Sequence, residues 1–362
     1  MSHQFPYRWN LAEGYPAKGI EAHGLKVFGT FICGGGSSMG YKLAGFDHIG
    51  GVEIDAKVAE VYRANHNPKH LFVEDIRDFN KRKELPEELY NLDILDGSPP
   101  CSSFSMAGNR EKDWGKEKVF REGQAKQRLD DLFFDYIALA KRLQPKVVIA
   151  ENVKGMLQGN AKAYVKRIKA EFEAAGYVVQ LFLLNAASMG VPQRRERVFF
   201  VCLRKDLAEP FLYQKDMFTQ VPKLELNFNE KNINWGCIID EEDNKETLSQ
   251  LDGELWEKRN YGDIDLSDIS IRERNILSRF NAKFLYKEKP ANTITGGEQC
   301  VLFDKKRNRN KQELLKCGTY PMDYDFGNLK PQYLIGMSVP PVMTAQIAHQ
   351  VYLQWLKTTI EQ

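Results

Sequence analysis

The sequence lacks long apolar runs, closely spaced cysteines and any excess of one charge, and each absence narrows what the chain can be. No stretch approaches the roughly 18 apolar residues that cross a bilayer. The opening MSHQFPYRWN has no basic segment followed by the apolar run of a secretory signal. The six cysteines, Cys33, Cys101, Cys202, Cys237, Cys300 and Cys317, form no C-x-x-C pair, which removes zinc-ribbon spacings, thioredoxin-like motifs and small disulfide frameworks. No bound metal is expected, and reduced thiols in a cytoplasm are. Lys and Arg number 51 against 49 Asp and Glu, a net charge of +2, so the total gives no sign of a polyelectrolyte-binding tail. There is no internal repeat or low-complexity tract. What remains is an ordinary folded composition, 43% hydrophobic and 28% charged over 362 residues, a length that suits two domains at roughly 100–200 residues each.

From Leu25 to Ala186 short apolar runs alternate with amphipathic segments, the pattern of a mainly parallel sheet covered by helices. LKVFGTF, HIGGVEI, HLFVED, LDILDGS, KVVIAENV and VVQLFLLNA read as strands, followed by RVFFVCLRK. AKVAEVYRANH, the segment from Gln127 to Leu143, and AKAYVKRIKAEFEAAG read as helices. The expected fold is a doubly wound α/β domain. Beyond Lys205 the alternation breaks down, which points to an inserted second domain over residues 205–329, with residues 1–204 and 330–362 forming the first. Apolar Ile347, Val351 and Trp355 recur every four residues, so a C-terminal helix is expected to pack back onto the first domain. The neutral total conceals a polarised second half. Asp240 to Asp268 holds eleven acidic and three basic residues, net −8, and Ile271 to Lys311 eleven basic and four acidic, net +7.

Chemistry-bearing residues gather at the strand ends. The first strand ends in FICGGGSSMG (Phe31–Gly40), a glycine turn that lets backbone N–H groups approach a ligand. The second ends in Glu53 and Asp55, where a carboxylate can accept from two ribose hydroxyls. The third ends in Glu74-Asp75-Ile76, an acid beside an aliphatic residue suited to the edge and face of an adenine. An adenosine-bearing ligand follows, and NAD, FAD and S-adenosylmethionine fit equally at this level. The fourth strand delivers DGSPPCSSFSMAGNR, in which two prolines stiffen the approach to Cys101. A thiol at this edge of the sheet can act as a nucleophile, with no histidine beside it in sequence. KVVIAENV runs into Glu151, a carboxyl at the end of a buried strand that needs a partner and is expected to have a raised pKa suited to general-acid use. In VPQRRERVFFV, Arg195 and Arg197 lie two residues apart at a strand start, so they are expected to face the same side.

Pro99-Pro100-Cys101, Glu151-Asn152-Val153 and Gln193-Arg194-Arg195-Glu196-Arg197, in that order after a Phe-x-x-x-Gly-Gly loop, resemble the DNA (cytosine-5)-methyltransferase family. The resemblance covers about Leu25 to Leu203 and about Thr319 to Leu356. It implies a Rossmann-like doubly wound mixed sheet of the S-adenosylmethionine-dependent methyltransferase type, with a smaller inserted target-recognition domain. It further implies that the target cytosine leaves the duplex, that Cys101 attacks C6, that Glu151 serves N3, that Arg197 holds O2, and that Arg195 organises Glu151 and the thiol loop. Methyl passes from S-adenosyl-L-methionine to C5. By the same likeness Phe31 stacks on the adenosine, Gly35 and Gly36 pass the methionine part, Glu53 binds the ribose, and Asp75 and Ile76 hold the adenine. Ile54, Pro100, Leu132 and Ser338 complete the cofactor set. Residues Ala107–Arg128, with seven basic and four acidic side chains and Trp114, would close over DNA.

Three positions depart from the family pattern. Cys33 replaces a loop glycine, which a neighbouring backbone shift would absorb. Met337 replaces the Asn of the C-terminal G-N-S/A-V-P-P motif, and Gln312-Glu313 replaces an R-E pair. The implied partner is double-stranded DNA, with no membrane, a cognate restriction endonuclease as candidate companion, and a monomer in the cytoplasm of a bacterial or phage-infected cell. The basic stretch would lie on phosphates and the acidic one face away, with Arg272, Arg274 and Arg279 as candidate contacts. A tRNA-directed member of the same family shares the chemistry. An NAD(P)-dependent Rossmann oxidoreductase explains the glycine loop and Glu53 but not Cys101 or Glu151. A silent DNA-binding relative would have no need to retain Cys101, Glu151 and both arginines.

Overall fold

A computed structural model describes residues 3–100, 117–118, 127–128, 131–159, 161–214, 220–240, 247–279 and 282–360. Two compact units divide the chain: residues 15–184 with 196–227 and 344–362, and residues 1–14 with 185–195 and 228–343.

The first unit is built on seven strands: β1 (Lys26–Thr30), β2 (Asp47–Glu53), β3 (His70–Val73), β4 (Ile94–Gly97), β5 (Val147–Val153), β6 (Tyr177–Asn185) and β7 (Glu196–Arg204). Their order across the sheet is β3-β2-β1-β4-β5-β7-β6. β1 pairs in parallel with β2 and β4, β2 with β3, and β4 with β5, whereas β7 runs antiparallel to β5. The central strands are buried along their length, which is why they read as continuous apolar runs. Chain direction across the sheet reverses between β1 and β4, the topological switch point at which open α/β sheets bind their ligands. β2 carries one extra residue opposite Val27/Phe28, and the bulge puts Gly50 at φ 137°, where a Cβ would lie 1.7 Å from the His70 carbonyl. Only glycine fits there.

Helices α1 (Gly36–Leu43), α2 (Ala56–His66), α3 (Ile76–Lys81), α4 (Leu132–Leu143) and α5 (Ala161–Ala174) connect the strands. Asp55 caps α2 through the amides of Lys57 and Val58, and Asp75 caps α3 through Arg77 N, satisfying N–H groups that a helix start leaves open. α4 begins at Leu132 rather than Gln127, because Gln127–Arg128 pairs with Glu117–Lys118 as a short antiparallel ladder. Phe28, Phe79, Phe133, Tyr136, Phe172 and Phe200 fill the core. The Tyr136 hydroxyl lies 2.9 Å from Leu95 O and 3.0 Å from Ile149 O, pinning β4 to β5 under the site.

Residues 205–227 group with this sheet rather than with the insertion expected from composition. Lys205 N donates to Gly176 O, and the buried Trp355 donates from Nε1 to Lys223 O. Within the second unit the three separate stretches of chain are tied together: Trp9 Nε1 donates to Thr319 O, and Gln193 Nε2 to Cys317 O. Its core of Leu255, Trp256, Leu266, Ile269, Phe284 and Val301 lies among α6 (Gln250–Glu257), α7 (Leu266–Arg274) and the parallel pair β8 (Ala282–Leu285) and β9 (Gln299–Leu302).

The charge segregation read along the chain is cancelled in space. Arg272 pairs with Asp263, Arg274 with Glu254, Arg279 with Asp252, Lys306 with Glu257, and Lys258 with Glu273. The acidic stretch folds against the basic one, so Arg272, Arg274 and Arg279 spend their charge inside the unit. Arg307 and Glu313, 4% and 0% exposed, form a further buried pair, with Glu313 also closing a capping box with Asn310 at α8 (Lys311–Gly318). Glu313 thus has a structural task that explains its spacing.

Replacing Trp355 by alanine removes a fully buried indole and its bond to Lys223. The expected loss is about 3–5 kcal/mol of stability, read as a lower urea midpoint at unchanged slope; an unchanged midpoint would show that the C-terminal segment contributes nothing to this core.

Candidate active site

The cofactor-side residues of the first unit assemble at the carboxyl ends of β1, β2 and β3. After β1 the backbone turns sharply: Phe31, Cys33 and Gly35 have φ of 55°, 46° and 71°. A Cβ on Gly35 would lie 2.1 Å from His66 Nε2, so this glycine is required both by its left-handed backbone and by close approach. Cys33 takes the left-handed conformation itself, where the sequence suggested that a neighbour would shift. Its amide donates to Glu53 Oε2 at 2.9 Å, and Asp55 N donates to Oε1 at 2.9 Å. Glu53 thereby laces the glycine turn to the end of β2. Burial pushes its carboxyl above the ordinary range, against the pull of those amides. Beside it Ile54 is 41% exposed, an apolar side chain left open at a strand end.

Asp75 is committed to Arg77, accepting from its amide, Nε and Nη2; this arginine holds the carboxyl below its usual range despite burial. Ile76 and Leu132 are buried, and Pro100 is half-buried. Ser338 lies in the second unit, where its hydroxyl donates to Leu334 O and accepts from Tyr320.

Cys101 and most of the 107–128 segment lie outside the described residues, but the approach to the thiol is defined. Asn152 Nδ2 donates to Pro99 O at 3.0 Å, while its Oδ1 accepts from Val153 N. This buried asparagine fixes the turn two residues before Cys101. It was visible in the Glu-Asn-Val motif, yet only the glutamate attracted a role. Next to it, Glu151 Oε1 meets Arg197 Nε at 2.9 Å, both side chains nearly buried. The antiparallel register sets Arg197 opposite Val153 and Phe199 opposite Glu151, so the pair is a diagonal neighbour across β5 and β7. Burial lowers the Arg197 pKa, and Glu151 opposes that shift.

Arg195 sits between a two-residue strand, Gln193–Arg194, and β7. Strand alternation therefore does not relate it to Arg197. Its guanidinium donates to Ile294 O and Gly336 O, 3.0 Å each, joining the segment around Ile294 to the Gly-Met-Ser-Val-Pro-Pro motif within the second unit. Met337 of that motif is exposed.

Sequence reasoning also passed over Asp96, the acid inside the apolar run Ile94–Gly97. It is buried, accepts from the Tyr41 hydroxyl at 3.0 Å, and is held by Ser37 and the Gly97 amide. Desolvation, with the nearby charge of Glu151, raises it to about 7.

With this geometry described, comparison with known proteins is decisive. Residues 25–352 match the family model described as C-5 cytosine-specific DNA methylase. The chain belongs to this family. It is 42% identical over 183 residues to the Type II methyltransferase M.FnuDI of Fusobacterium nucleatum, covering 51% of this chain and 48% of that one. With M1.HphI of Haemophilus parahaemolyticus identity is 29% over 349 residues, covering 90% and 86%. The chain thus aligns with about half the length of M.FnuDI and with most of M1.HphI. Among solved structures, a methyltransferase described as a putative DNA modification enzyme encoded within an E. coli prophage superposes with a TM-score of 0.61 at 20% identity, covering 91% of this chain and 99% of that one. A variant DNMT2 from Spodoptera frugiperda gives 0.61 at 18%, with 91% and 99% covered. The Rossmann-like fold is that of the S-adenosylmethionine-dependent C5 methyltransferases.

Asp96 makes stability depend on pH. Its folded pKa of about 7 lies above the ordinary 3.8, so the stabilisation it lends is complete below about pH 4 and lost as pH rises through about 7. Asp96→Asn is expected to melt higher than the parent at pH 8, with the gap closing toward pH 5; parallel melting curves would contradict this.

Proposed function

We propose that this chain methylates carbon 5 of cytosine in double-stranded DNA. The observation that carries the reading is the nearly buried Glu151–Arg197 pair beside the Asn152–Pro99 bond, with one strand, β4, between β5 and the β1 strand that leads into the turn held by Glu53. Type II methyltransferases among the relatives support DNA as substrate and a restriction endonuclease as companion. A monomer in the cytoplasm of a bacterial or phage-infected cell completes the proposal; among the described residues no helix is long and apolar enough to cross a membrane.

S-adenosyl-L-methionine supplies, when bound, an electrophilic methyl group. The residues present fit it: Glu53, with about four lone-pair sites on its carboxylate, accepts from the Cys33, Ile54 and Asp55 amides and keeps acceptor capacity for a ribose hydroxyl, and exposed Ile54 offers an apolar face to an adenine. Gly35 and Gly36 bring backbone rather than bulk to the methionine part of the ligand, and the partly buried Phe31 ring stacks on the adenosine. Asp75, occupied by Arg77, would contribute through the rigid start of α3, with Ile76 and Leu132 behind it.

On the substrate side, C5 of cytosine is a weak nucleophile, and thiolate addition at C6 makes it an enamine-like one. Cys101 performs that attack from a turn that Asn152 fixes. Glu151 serves N3, quenching charge pushed onto the ring, and Arg197 both orients Glu151 and reaches the O2 carbonyl. Loss of the C5 proton expels the thiolate and restores aromaticity. Arg195 acts at one remove, by locking the Ile294 and Gly336 carbonyls. A nicotinamide oxidoreductase would use the glycine turn and Glu53 but has no task for Glu151, Arg197 and Asn152.

Cys101→Ser is expected to abolish methyl incorporation into duplex DNA while cofactor affinity stays within a few-fold. A duplex carrying 5-fluorocytosine should trap the parent enzyme covalently, because fluorine cannot leave as a proton does; turnover by the serine variant, or an active enzyme without adduct, would refute thiolate addition. Asn152→Ala is expected to lower kcat by about ten- to a hundred-fold with cofactor binding preserved, through misplacement of the thiol turn. Wild-type turnover would remove Asn152 from the mechanism.

A further inference from the structure

The ion pairs of the second unit consume most of the charge that the sequence offered to a polyanion. Where cations escape this pairing, the unit can still meet one. Two of them border the same cleft, of about 180 Å³, whose walls include Ile264, Phe284 and Tyr286. Arg194 is exposed, and its Nη2 rests on Asn292 Oδ1 at 2.7 Å. That neutral contact leaves the other guanidinium donors and the full charge outward. Lys289 is also exposed, with its ammonium 4.9 Å from the Tyr286 ring centre and 5.9 Å from that of Tyr261. The rings hold the lysine stem, and Glu288, which accepts from the Tyr261 hydroxyl, is near enough to feel the Lys289 charge without closing an ion pair with it. Among the described residues no ion pair joins either cation to a carboxylate, whereas Arg272, Arg274 and Arg279 each have one.

The cleft is backed by a rigid frame. Ala291–Asn292 pairs in parallel with Gln193–Arg194, and Thr293 Oγ1 donates to Arg194 O. Tyr286 donates to Asp263 O and accepts from Gly262 N, which fixes the opposite wall.

We propose that Arg194 and Lys289 at this cleft hold backbone phosphates of the DNA, and that the arginines of α7 and its following turn do not. The proposal rests on duplex DNA being the substrate. It gives the second unit a grip that carries no sequence information itself and leaves the apolar wall and Asn292 to neighbouring groups of the strand.

The test uses the full chain and a fluorescent duplex, with affinity measured between 50 and 200 mM salt. Each phosphate contact contributes about 0.9 to the slope of log affinity against log salt. Arg194→Gln and Lys289→Gln should each lower the slope by about that amount and the double variant by about twice it. Lys289→Arg should keep the parent slope, and Arg272→Gln, with its charge already spent on Asp263, should not change it. Parent enzyme that methylates the duplex while the double variant keeps the parent slope overturns the cleft assignment and leaves the activity standing. Equal loss in Arg272→Gln overturns it as well. Parent enzyme that neither binds nor methylates duplex DNA overturns the substrate reading and this proposal together.

Discussion

The buried pairing of Glu151 with Arg197 is the constraint around which the first unit is arranged. A carboxylate at the tip of a central strand is costly without a partner. Its partner comes from β7, which runs antiparallel to β5, and direction is what makes this work. β7 enters the sheet beside β5 from the carboxyl end, so its first residues, Glu196 and Arg197, arrive where the last residues of β5 leave. A parallel β7 would bring its carboxyl end there instead and leave the arginine at the far edge. Breaking a fully buried pair on one side typically costs about 3–5 kcal/mol, and this nearly buried pair approaches that case, so the strand order is tied to the stability of the sheet edge.

The same edge shows how the site is kept still. Glu53, Asn152 and Asp96 are each buried polar groups that accept or donate within a few residues of a functional position, and none points to solvent. Glu53 binds the glycine turn, Asn152 binds the thiol turn, and Asp96 joins β4 to α1 between them. Buried polar groups that are satisfied make an arrangement rigid, and partly satisfied ones make it costly. The glycine turn after β1 and the segment through Pro99 after β4 are therefore braced from a common strand edge at the switch point.

How much of this could be read from the residues depended on which physical signal each element carried. The parallel strands were legible because burial on both faces leaves an unbroken apolar run, and Glu151 drew attention because a carboxyl ends such a run. Gln127–Arg128 read as helix because its amphipathic pattern continued into α4, and only a ladder partner eleven residues earlier in the chain tells otherwise. Cys33 was read as a residue to be accommodated elsewhere; nothing local reveals that Glu53 would hold its amide in a left-handed turn. Arg195 was placed on the strand by its spacing from Arg197, but β7 begins at Glu196, and a single residue outside a strand is enough to free it from the alternation.

The charge pattern is the instructive failure. Net −8 beside net +7 looked like two faces, one toward phosphate and one away. Segments adjacent in sequence and opposite in sign are also each other's nearest available counter-ions, and a compact unit brings them together before any ligand arrives. Five ion pairs across the two stretches do so here. A run of one sign therefore reports on binding only after the intramolecular pairs have been subtracted. What survives the subtraction at the cleft is small, Arg194 and Lys289, and it is held by an amide and by aromatic rings, with Glu288 alone near enough to Lys289 to offset part of its field among the described contacts.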